Sequence, residues 1–223
     1  MSSVRKRARR ILRPPWLGGL RRTEPLSKWG ADRGTPVDRY YIERFLERHR
    51  GDIRGRVLEV RDSRYTSRFG AGVEAVDVLD VEPGNPLATI TADLSAADAI
   101  AAETFDCFVL TQTLQYIRDL DGALRHARRI LKPGGVLLAT VPGISRVDTG
   151  HADRDLWRFT PRACSLLFDA SWPGDEVAVT AEGNVLAAAA FLYGVAADEL
   201  SAEKLAMRDP NYPVVVCVRA VRR

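Results

Sequence analysis

The sequence has few cysteines and no long hydrophobic run, and both absences restrict its class. Its three cysteines, Cys107, Cys164 and Cys217, form neither a CxxC pair nor an even disulfide set. They therefore indicate buried thiols in a reducing compartment. No segment reaches the roughly 18 consecutive apolar residues that a membrane-spanning helix needs, and the first residues lack the apolar stretch of a signal peptide. We therefore expect a cytoplasmic protein.

Acidic residues are missing from the first 22 positions, MSSVRKRARRILRPPWLGGLRR, which carry eight arginines or lysines. One interpretation is a solvated tail; the other is peripheral contact with anionic lipid, in which basic residues attract and Trp and Leu side chains insert. No recognised nucleic-acid motif accompanies the charge, so specific nucleic-acid binding is not expected. We place a flexible basic tail at 1–34 and a single domain at 35–223.

Short apolar segments alternate with segments of helical spacing along this domain. Such alternation predicts βαβ units and a parallel sheet that is covered on both faces. The predicted strands are 56–60, 73–78, 88–92, 106–111, 135–141, 176–181 and 214–218. The predicted helices are 36–49, 96–103, 119–131, 161–169 and 184–206.

Glycine is missing from the turn after the first predicted strand, within GRVLEVRDSRYTSRFG at 55–70. A nucleotide-binding α/β protein has a glycine-rich loop there, whereas this turn begins Arg61-Asp62-Ser63. A dinucleotide's pyrophosphate needs the close backbone N–H groups that such glycines permit. An NAD-dependent oxidoreductase is therefore disfavoured.

Polar side chains stand where the first four predicted strands end. In an open parallel sheet, ligands bind outside the carboxyl ends of the strands. Glu59 and Asp77 are eighteen residues apart, close to the roughly 20 that separate a phosphate turn from the acid that binds a ribose diol. A carboxylate suits that role because it accepts both hydroxyl hydrogens. Asp93 would be available to an adenine amino group, although each acid taken alone is equally explained as a strand end facing water.

Two motifs carry a family resemblance: TFDCFVLTQTLQYI at 104–117 and ILKPGGVLL at 130–138. They resemble the fourth- and fifth-strand motifs of class I S-adenosylmethionine-dependent methyltransferases, particularly small bacterial type-11-like members. The resemblance covers about residues 35–220 and includes DLWRFT at 155–160. It implies an α/β, Rossmann-like, doubly wound sheet of seven strands that is mostly parallel, with an antiparallel last strand.

The resemblance also implies S-adenosylmethionine as cofactor and a set of residues that bind it. Glu59, Val60 and Arg61 would lie near the methionine end, Asp77 and Val78 at the ribose, Asp93 and Leu94 at the adenine, and Thr111 and Gln112 beneath the sulfonium. Gln115 stands where many relatives have histidine. Because this cofactor has no phosphate, the turn can lose its glycines. Arg61 would then clash with the cofactor, turn outward, or pair with the cofactor carboxylate.

Methyl transfer from a sulfonium is an in-line displacement, so holding donor and acceptor together supplies most of the acceleration. A general base is optional, and His151 is the candidate. Trp157 and Arg158 are candidates for binding the acceptor, and no metal is expected. We expect methyl transfer to an oxygen of a small molecule or glycan. The alternative is a methyltransferase-like binding or scaffold protein without turnover because its first loop is degraded.

Overall fold

The computed structural model describes residues 23–223, which form one seven-stranded sheet with helices on both faces. The strands are β1 Gly55–Val60, β2 Val73–Asp80, β3 Ile90–Thr91, β4 Phe105–Thr111, β5 Leu131–Pro142, β6 Glu176–Glu182 and β7 Val215–Val221. The α-helices are α1 Val37–Arg48, α2 Arg64–Phe69, α3 Leu120–Ile130, α4 Pro161–Ser171, α5 Val185–Leu192 and α6 Ala202–Ala206.

The strand order is β3-β2-β1-β4-β5-β7-β6. The first five strands are parallel, and β7 runs antiparallel to both β5 and β6. The order reverses between β1 and β4, which places a crevice at the carboxyl ends of these two strands. This confirms the predicted Rossmann-like sheet with its antiparallel last strand.

Capping residues fix the first turns of the two helices that follow β4 and β5. The Asp119 carboxylate accepts a hydrogen bond from the Gly122 N–H at the start of α3, and the Thr160 hydroxyl accepts one from the Ala163 N–H at the start of α4. Such caps satisfy N–H groups that have no partner within the helix. They fix where the loops after β4 and β5 must end.

Two apolar layers cover the central strands. Phe108 and Leu137 pack on one face with Trp172, at the end of α4. Val109 packs on the other face with Phe45 of α1. Side chains alternate between the faces of a strand, so the apolar run in β4 contributes to both layers. The three cysteines are buried as expected, and burial raises the pKa of the Cys164 thiol to about 12.

Two of the predicted helices are wrong in extent. The segment 96–103 forms no α-helix, and only a 3₁₀ turn at Leu94–Ala96 stands there. The alanine-rich helix predicted at 184–206 ends with α5 and resumes only as the short α6. The break comes at Gly194, which has a φ of +69° and lies so close to Ser27 that a Cβ would overlap its carbonyl group. Tertiary packing there overrides the helix propensity of alanine.

Residues 26–34 belong to the domain, which corrects the boundary predicted at residue 34. The Leu26 N–H donates to the Tyr193 carbonyl oxygen at 2.8 Å, and Trp29 packs against Phe191 with ring centroids 6.1 Å apart. Arg33 is 1% exposed and donates to both carboxylate oxygens of Glu199 at 2.8 and 2.6 Å. The lipid contact predicted for 1–22 lies outside the described residues. Within 23–223, no helix combines the length and apolar character needed to cross a bilayer.

Candidate functional site

Two cavities share a wall at the carboxyl ends of the parallel strands. The larger cavity has a volume of about 520 Å³ and lies over the ends of β1, β2 and β3. The smaller cavity has a volume of about 290 Å³ and extends toward the end of β5 and the start of α1. Arg61, Gln112 and Tyr116 line both. A molecule in one cavity can therefore reach a molecule in the other at these three residues.

The turn after β1 keeps a glycine-like backbone although it contains no glycine. Arg61 has a φ of 71°, in the left-handed region that glycine adopts without strain. Its N–H donates to the Leu79 carbonyl at 2.8 Å, and its own carbonyl accepts from the Asn85 side chain at 2.7 Å. Its guanidinium forms no ion pair within residues 23–223. The Arg61 side chain forms part of the lining of both cavities.

Glu59 supports this turn from beneath and lines neither cavity. It is 1% exposed, and its carboxylate accepts from the backbone N–H groups of Tyr65 at 3.0 Å and Thr66 at 2.7 Å. Burial raises its pKa, while these hydrogen bonds lower it. The prediction that Glu59 contacts a cofactor needs correction, because its carboxylate is used in holding the first turn of α2.

The acid at the end of the second strand is Asp80, and Asp77, which was predicted to bind the ribose, lies three residues before this end. Strand β2 continues two residues beyond its predicted end. Asp77 pairs with Arg56 at 2.8 Å and accepts from the Thr89 hydroxyl at 3.0 Å, outside both cavities. Asp80 lines the larger cavity and accepts from the Asn85 amide at 2.6 Å. Val78 also lines neither cavity. The sequence signal was available, since Asp80 is the last acid of the run VEAVDVLD.

Three of the residues predicted to bind the cofactor line the larger cavity: Val60, Asp93 and Leu94. The Asp93 carboxylate accepts from the N–H and the hydroxyl of Ser95, both at 2.8 Å. The same cavity has apolar walls in Val81 and Leu87, which are 51% and 60% exposed. Large apolar side chains this exposed are suited to cover a flat, partly apolar ligand.

The end of β4 and the turn after it carry two unpaired polar atoms, one at the shared wall and one beside the smaller cavity. Gln112 lines both cavities, has a φ of 47°, and its buried Nε2 has no hydrogen-bond partner in the described chain. Gln115 lines the smaller cavity, and its Oε1 is likewise buried without a partner. Buried polar atoms without partners are costly, so the pair fits a ligand that accepts at one point and donates at another. Thr111 lines neither cavity, against the prediction.

The loop after β5 covers the larger cavity. Arg154 pairs with Glu82, beyond the end of β2, at 3.0 Å. Within the loop, the His151 Nδ1 and the Asp148 Oδ2 are 3.0 Å apart, and the Tyr116 hydroxyl donates to the same oxygen at 3.1 Å. Burial and the neighbouring Asp148 raise the pKa of Tyr116 to about 12. His151 lines the larger cavity near the shared wall.

Of the two residues predicted to bind an acceptor, only Arg158 lines a cavity. Arg158 lines the smaller cavity, where it donates to both Asp155 oxygens at 2.6 and 2.8 Å. Trp157 lines neither cavity, and its indole N–H donates to the Ile117 carbonyl at 2.9 Å. The WRFT element therefore contributes one side chain to the cavity and one to the attachment of the loop.

Sequence reasoning missed most of the smaller cavity. Trp29 comes from the segment assigned to a tail, and Asp38 and Arg39 from the first turn of α1. Burial raises the pKa of the Asp38 carboxyl to about 6, although its carboxylate accepts from the Arg39 N–H at 2.7 Å. Arg146 lies over the Trp29 ring, 4.9 Å from its centroid. Within residues 23–223, no cluster of His, Cys, Asp and Glu could hold a metal ion.

The comparisons with known proteins agree with this geometry. Residues 70–139 match a family model described as a methyltransferase domain. In solved structures, the chain is similar to a SAM-dependent methyltransferase of Archaeoglobus fulgidus at 11% identity, with 82% of this chain and 94% of that one covered and a TM-score of 0.55. The chain has the fold of class I methyltransferases.

Two further structures share this methyltransferase fold. An S-adenosylmethionine-dependent methyltransferase of Mesorhizobium loti is 15% identical over 83% of this chain and 98% of that one, with a TM-score of 0.54. The [4+2]-cyclase SpnF is 16% identical over 92% and 89%, also with a TM-score of 0.54. Among curated proteins, no sequence matches the chain. The matching domain and the fold together imply S-adenosylmethionine as cofactor.

The residues of the larger cavity fit this cofactor. A carboxylate at the end of β2 suits a ribose diol, and the apolar Val81 and Leu87 suit the faces of an adenine. At the shared wall, the unpaired Gln112 Nε2 lies with the Arg61 side chain, and both are donors that suit a carboxylate. The observation that decides the fit is this buried donor, which has no other partner in the described chain.

Proposed function

We propose that this methyltransferase transfers the methyl group of S-adenosylmethionine to an oxygen of a small molecule or glycan. The observation that carries the proposal is the shared wall of the two cavities at Arg61, Gln112 and Tyr116. A donor in the larger cavity and an acceptor in the smaller one meet there. Holding two reactants at near-attack distance is the main requirement of a methyl transfer.

The cofactor is oriented by residues at three strand ends. The Asp80 carboxylate accepts hydrogen bonds from the two ribose hydroxyls, and Asp93 and Leu94 lie next to the adenine. Val60 contacts the cofactor where β1 ends. Arg61 pairs with the cofactor carboxylate, which is the third of the outcomes considered for this residue, and the Gln112 amide donates a second hydrogen bond to it. An arginine suits this role because its planar donors match a carboxylate.

The chain's own residues supply positioning and a proton acceptor. When bound, S-adenosylmethionine provides a methyl group activated by a positive sulfur. The His151 Nδ1–H donates to the Asp148 carboxylate, which leaves Nε2 free to accept the proton of an acceptor hydroxyl. Asp38 is a second candidate for the same role, since it lines the smaller cavity itself. Substituting His151→Gln and Asp38→Asn separately distinguishes them by which one reduces the maximal rate.

The alternative function is a binding or scaffold protein without turnover. Its support is the turn after β1, where an arginine replaces a glycine in a left-handed conformation. A protein of the same fold is described as a cyclase, which illustrates that the fold alone does not determine the reaction. Cofactor binding without methyl transfer to any hydroxyl acceptor would favour this alternative.

We propose a cytoplasmic location with peripheral contact of residues 1–22 with anionic membranes. The support is their basic charge with interspersed Trp and Leu residues. Co-sedimentation with vesicles containing anionic lipid should be lost when residues 1–22 are removed. Unchanged sedimentation would show that the basic segment makes no such contact.

The test of the proposed function is cofactor binding, measured by calorimetry with S-adenosylmethionine and S-adenosylhomocysteine. Asp80→Asn should weaken both by about tenfold or more, because it loses a charge-assisted hydrogen bond to the ribose. Asp77→Asn is the matched control, since this acid lies on the same strand outside the cavity, and it should leave binding unchanged. If the wild-type protein binds neither compound, the proposed function is wrong.

A further inference from the structure

The smaller cavity contains arginines whose charge no carboxylate neutralises. Arg39 and Arg146 line it and are half-buried, yet neither forms an ion pair or donates a side-chain hydrogen bond within residues 23–223. Arg158, in the same cavity, is paired with Asp155 at 2.6 Å. Partial burial of an arginine is costly unless a partner compensates for it. The face of Trp29 lies 4.9 Å from the Arg146 guanidinium, but an anionic partner is missing for both arginines within the described chain.

Arginines elsewhere in the domain show that this state is specific to the cavity. Of the other arginines that form no ion pair in the part of the chain that the structure describes, Arg129 is half-buried and donates to the Ala97 carbonyl at 2.7 Å. The rest are exposed to solvent: Arg44, Arg54, Arg61, Arg118, Arg125, Arg162 and Arg223. Water compensates an exposed guanidinium fully. A half-buried one that faces a cavity needs an anion there.

The carboxylates that line the cavity form no ion pair with these two arginines within residues 23–223. Asp148 is held by His151 and Tyr116, and in the proposed function Arg61 is taken by the cofactor. The Asp38 carboxylate accepts from the Arg39 backbone N–H and forms no ion pair in the described chain, and burial raises the pKa of this carboxyl. Arg39 and Arg146 therefore have guanidinium donors that no carboxylate of the described chain occupies.

We propose that the smaller cavity binds a small molecule bearing an oxyanion group, a phosphate or a carboxylate, which Arg39 and Arg146 hold. Arginine matches both groups through paired, charge-assisted hydrogen bonds. Trp29 and Phe191 form an apolar wall beside them, which suits an organic body attached to the anion. This molecule is the methyl acceptor, an assignment that rests on the proposed function.

The test titrates the full chain, saturated with S-adenosylhomocysteine, with three probes: phenyl phosphate, benzoate and the neutral benzyl alcohol. Calorimetry and Trp fluorescence report binding. At least one of the two anions should bind about tenfold or more tightly than benzyl alcohol, because a charge-assisted bond is lost in the neutral probe. Which anion binds better distinguishes phosphate from carboxylate. Binding should weaken as salt is added.

Arg39→Gln and Arg146→Gln should each weaken anion binding about tenfold and leave S-adenosylhomocysteine binding unchanged. Arg125→Gln, on the exposed face of α3, should change neither, and thermal unfolding shows that each variant is folded. Equal binding of benzyl alcohol, or unchanged anion binding in folded Arg39→Gln and Arg146→Gln, overturns the inference. If the wild-type protein binds the anion but does not bind S-adenosylhomocysteine, the proposed function is wrong and the inferred anion site is still supported.

Discussion

Replacing Asp38 by asparagine should stabilise the protein at neutral pH. Asp38 is held in the smaller cavity with its pKa raised to about 6, chiefly because burial disfavours the charged form. At pH 7.5 the carboxyl is therefore ionised at an energetic cost. Asparagine removes the charge and keeps an oxygen that can accept the Arg39 N–H, which is now 2.7 Å away.

The magnitude follows from the pKa. A rise from the ordinary value of 3.8 to about 6 corresponds to roughly 3 kcal/mol, at about 1.36 kcal/mol for each pKa unit. The cavity is open to solvent, so we expect a gain in the free energy of unfolding of about 1 to 2 kcal/mol. For a chain of this size, the unfolding midpoint would rise by roughly 2 to 8 °C.

The sign of the pH dependence is fixed by the direction of the shift. Because the folded state binds the Asp38 proton more tightly, wild-type stability falls as pH rises from about 4 to about 6 and is level above that. The advantage of Asp38→Asn should therefore be full at pH 7.5 and shrink toward zero near pH 4. Urea unfolding at both pH values measures it.

The matched control is Asp169→Asn, an exposed acid on α4, which should change stability by less than about 0.5 kcal/mol at either pH. A destabilised Asp38→Asn at pH 7.5, or a gain that is equal at pH 4 and pH 7.5, would refute the reasoning. A protein that keeps a destabilising charge in a cavity retains it for function, so the expected gain in stability should accompany a loss of activity.

Two further substitutions test the backbone conformations around the site. Arg61→Gly should raise the unfolding midpoint, because glycine adopts the φ of 71° without strain, and should weaken S-adenosylhomocysteine binding about tenfold by calorimetry through loss of the ion pair. Gly194→Ala should lower the free energy of unfolding by at least about 2 kcal/mol, since a Cβ there overlaps Ser27. Gly174→Ala, with a φ of +77° and open space around it, should cost only about 1 kcal/mol; equal costs for the two glycines would contradict the overlap.

The sheet could be predicted from the sequence because its signals are local. The apolar run of β4 and the apolar run that follows KPGG in β5 indicate two central strands from local sequence alone. The helix predicted at 184–206 failed because Gly194 meets Ser27, a contact between segments far apart in the chain. Alanine propensity says nothing about such a contact.

Residues of the site could be predicted only where the ends of the strands were predicted. Asp93 follows a strand whose end was predicted within one residue, whereas Asp77 was chosen because the predicted β2 was too short by two residues. Pairing with β3 carries β2 on to Asp80, which lies opposite Thr91. The smaller cavity was beyond the sequence pattern, since Trp29 and Arg146 become neighbours only when the sheet has folded.

The Glu59 carboxylate that holds the turn after β1 has a consequence for ligand choice. It occupies the N–H groups of Tyr65 and Thr66, at the first turn of the helix, which in a dinucleotide-binding protein faces a pyrophosphate. A phosphate brought there would lose these donors and meet a negative charge instead. We therefore expect the Glu59 carboxylate to disfavour nucleotide phosphates at this turn, as a consequence of how the turn folds.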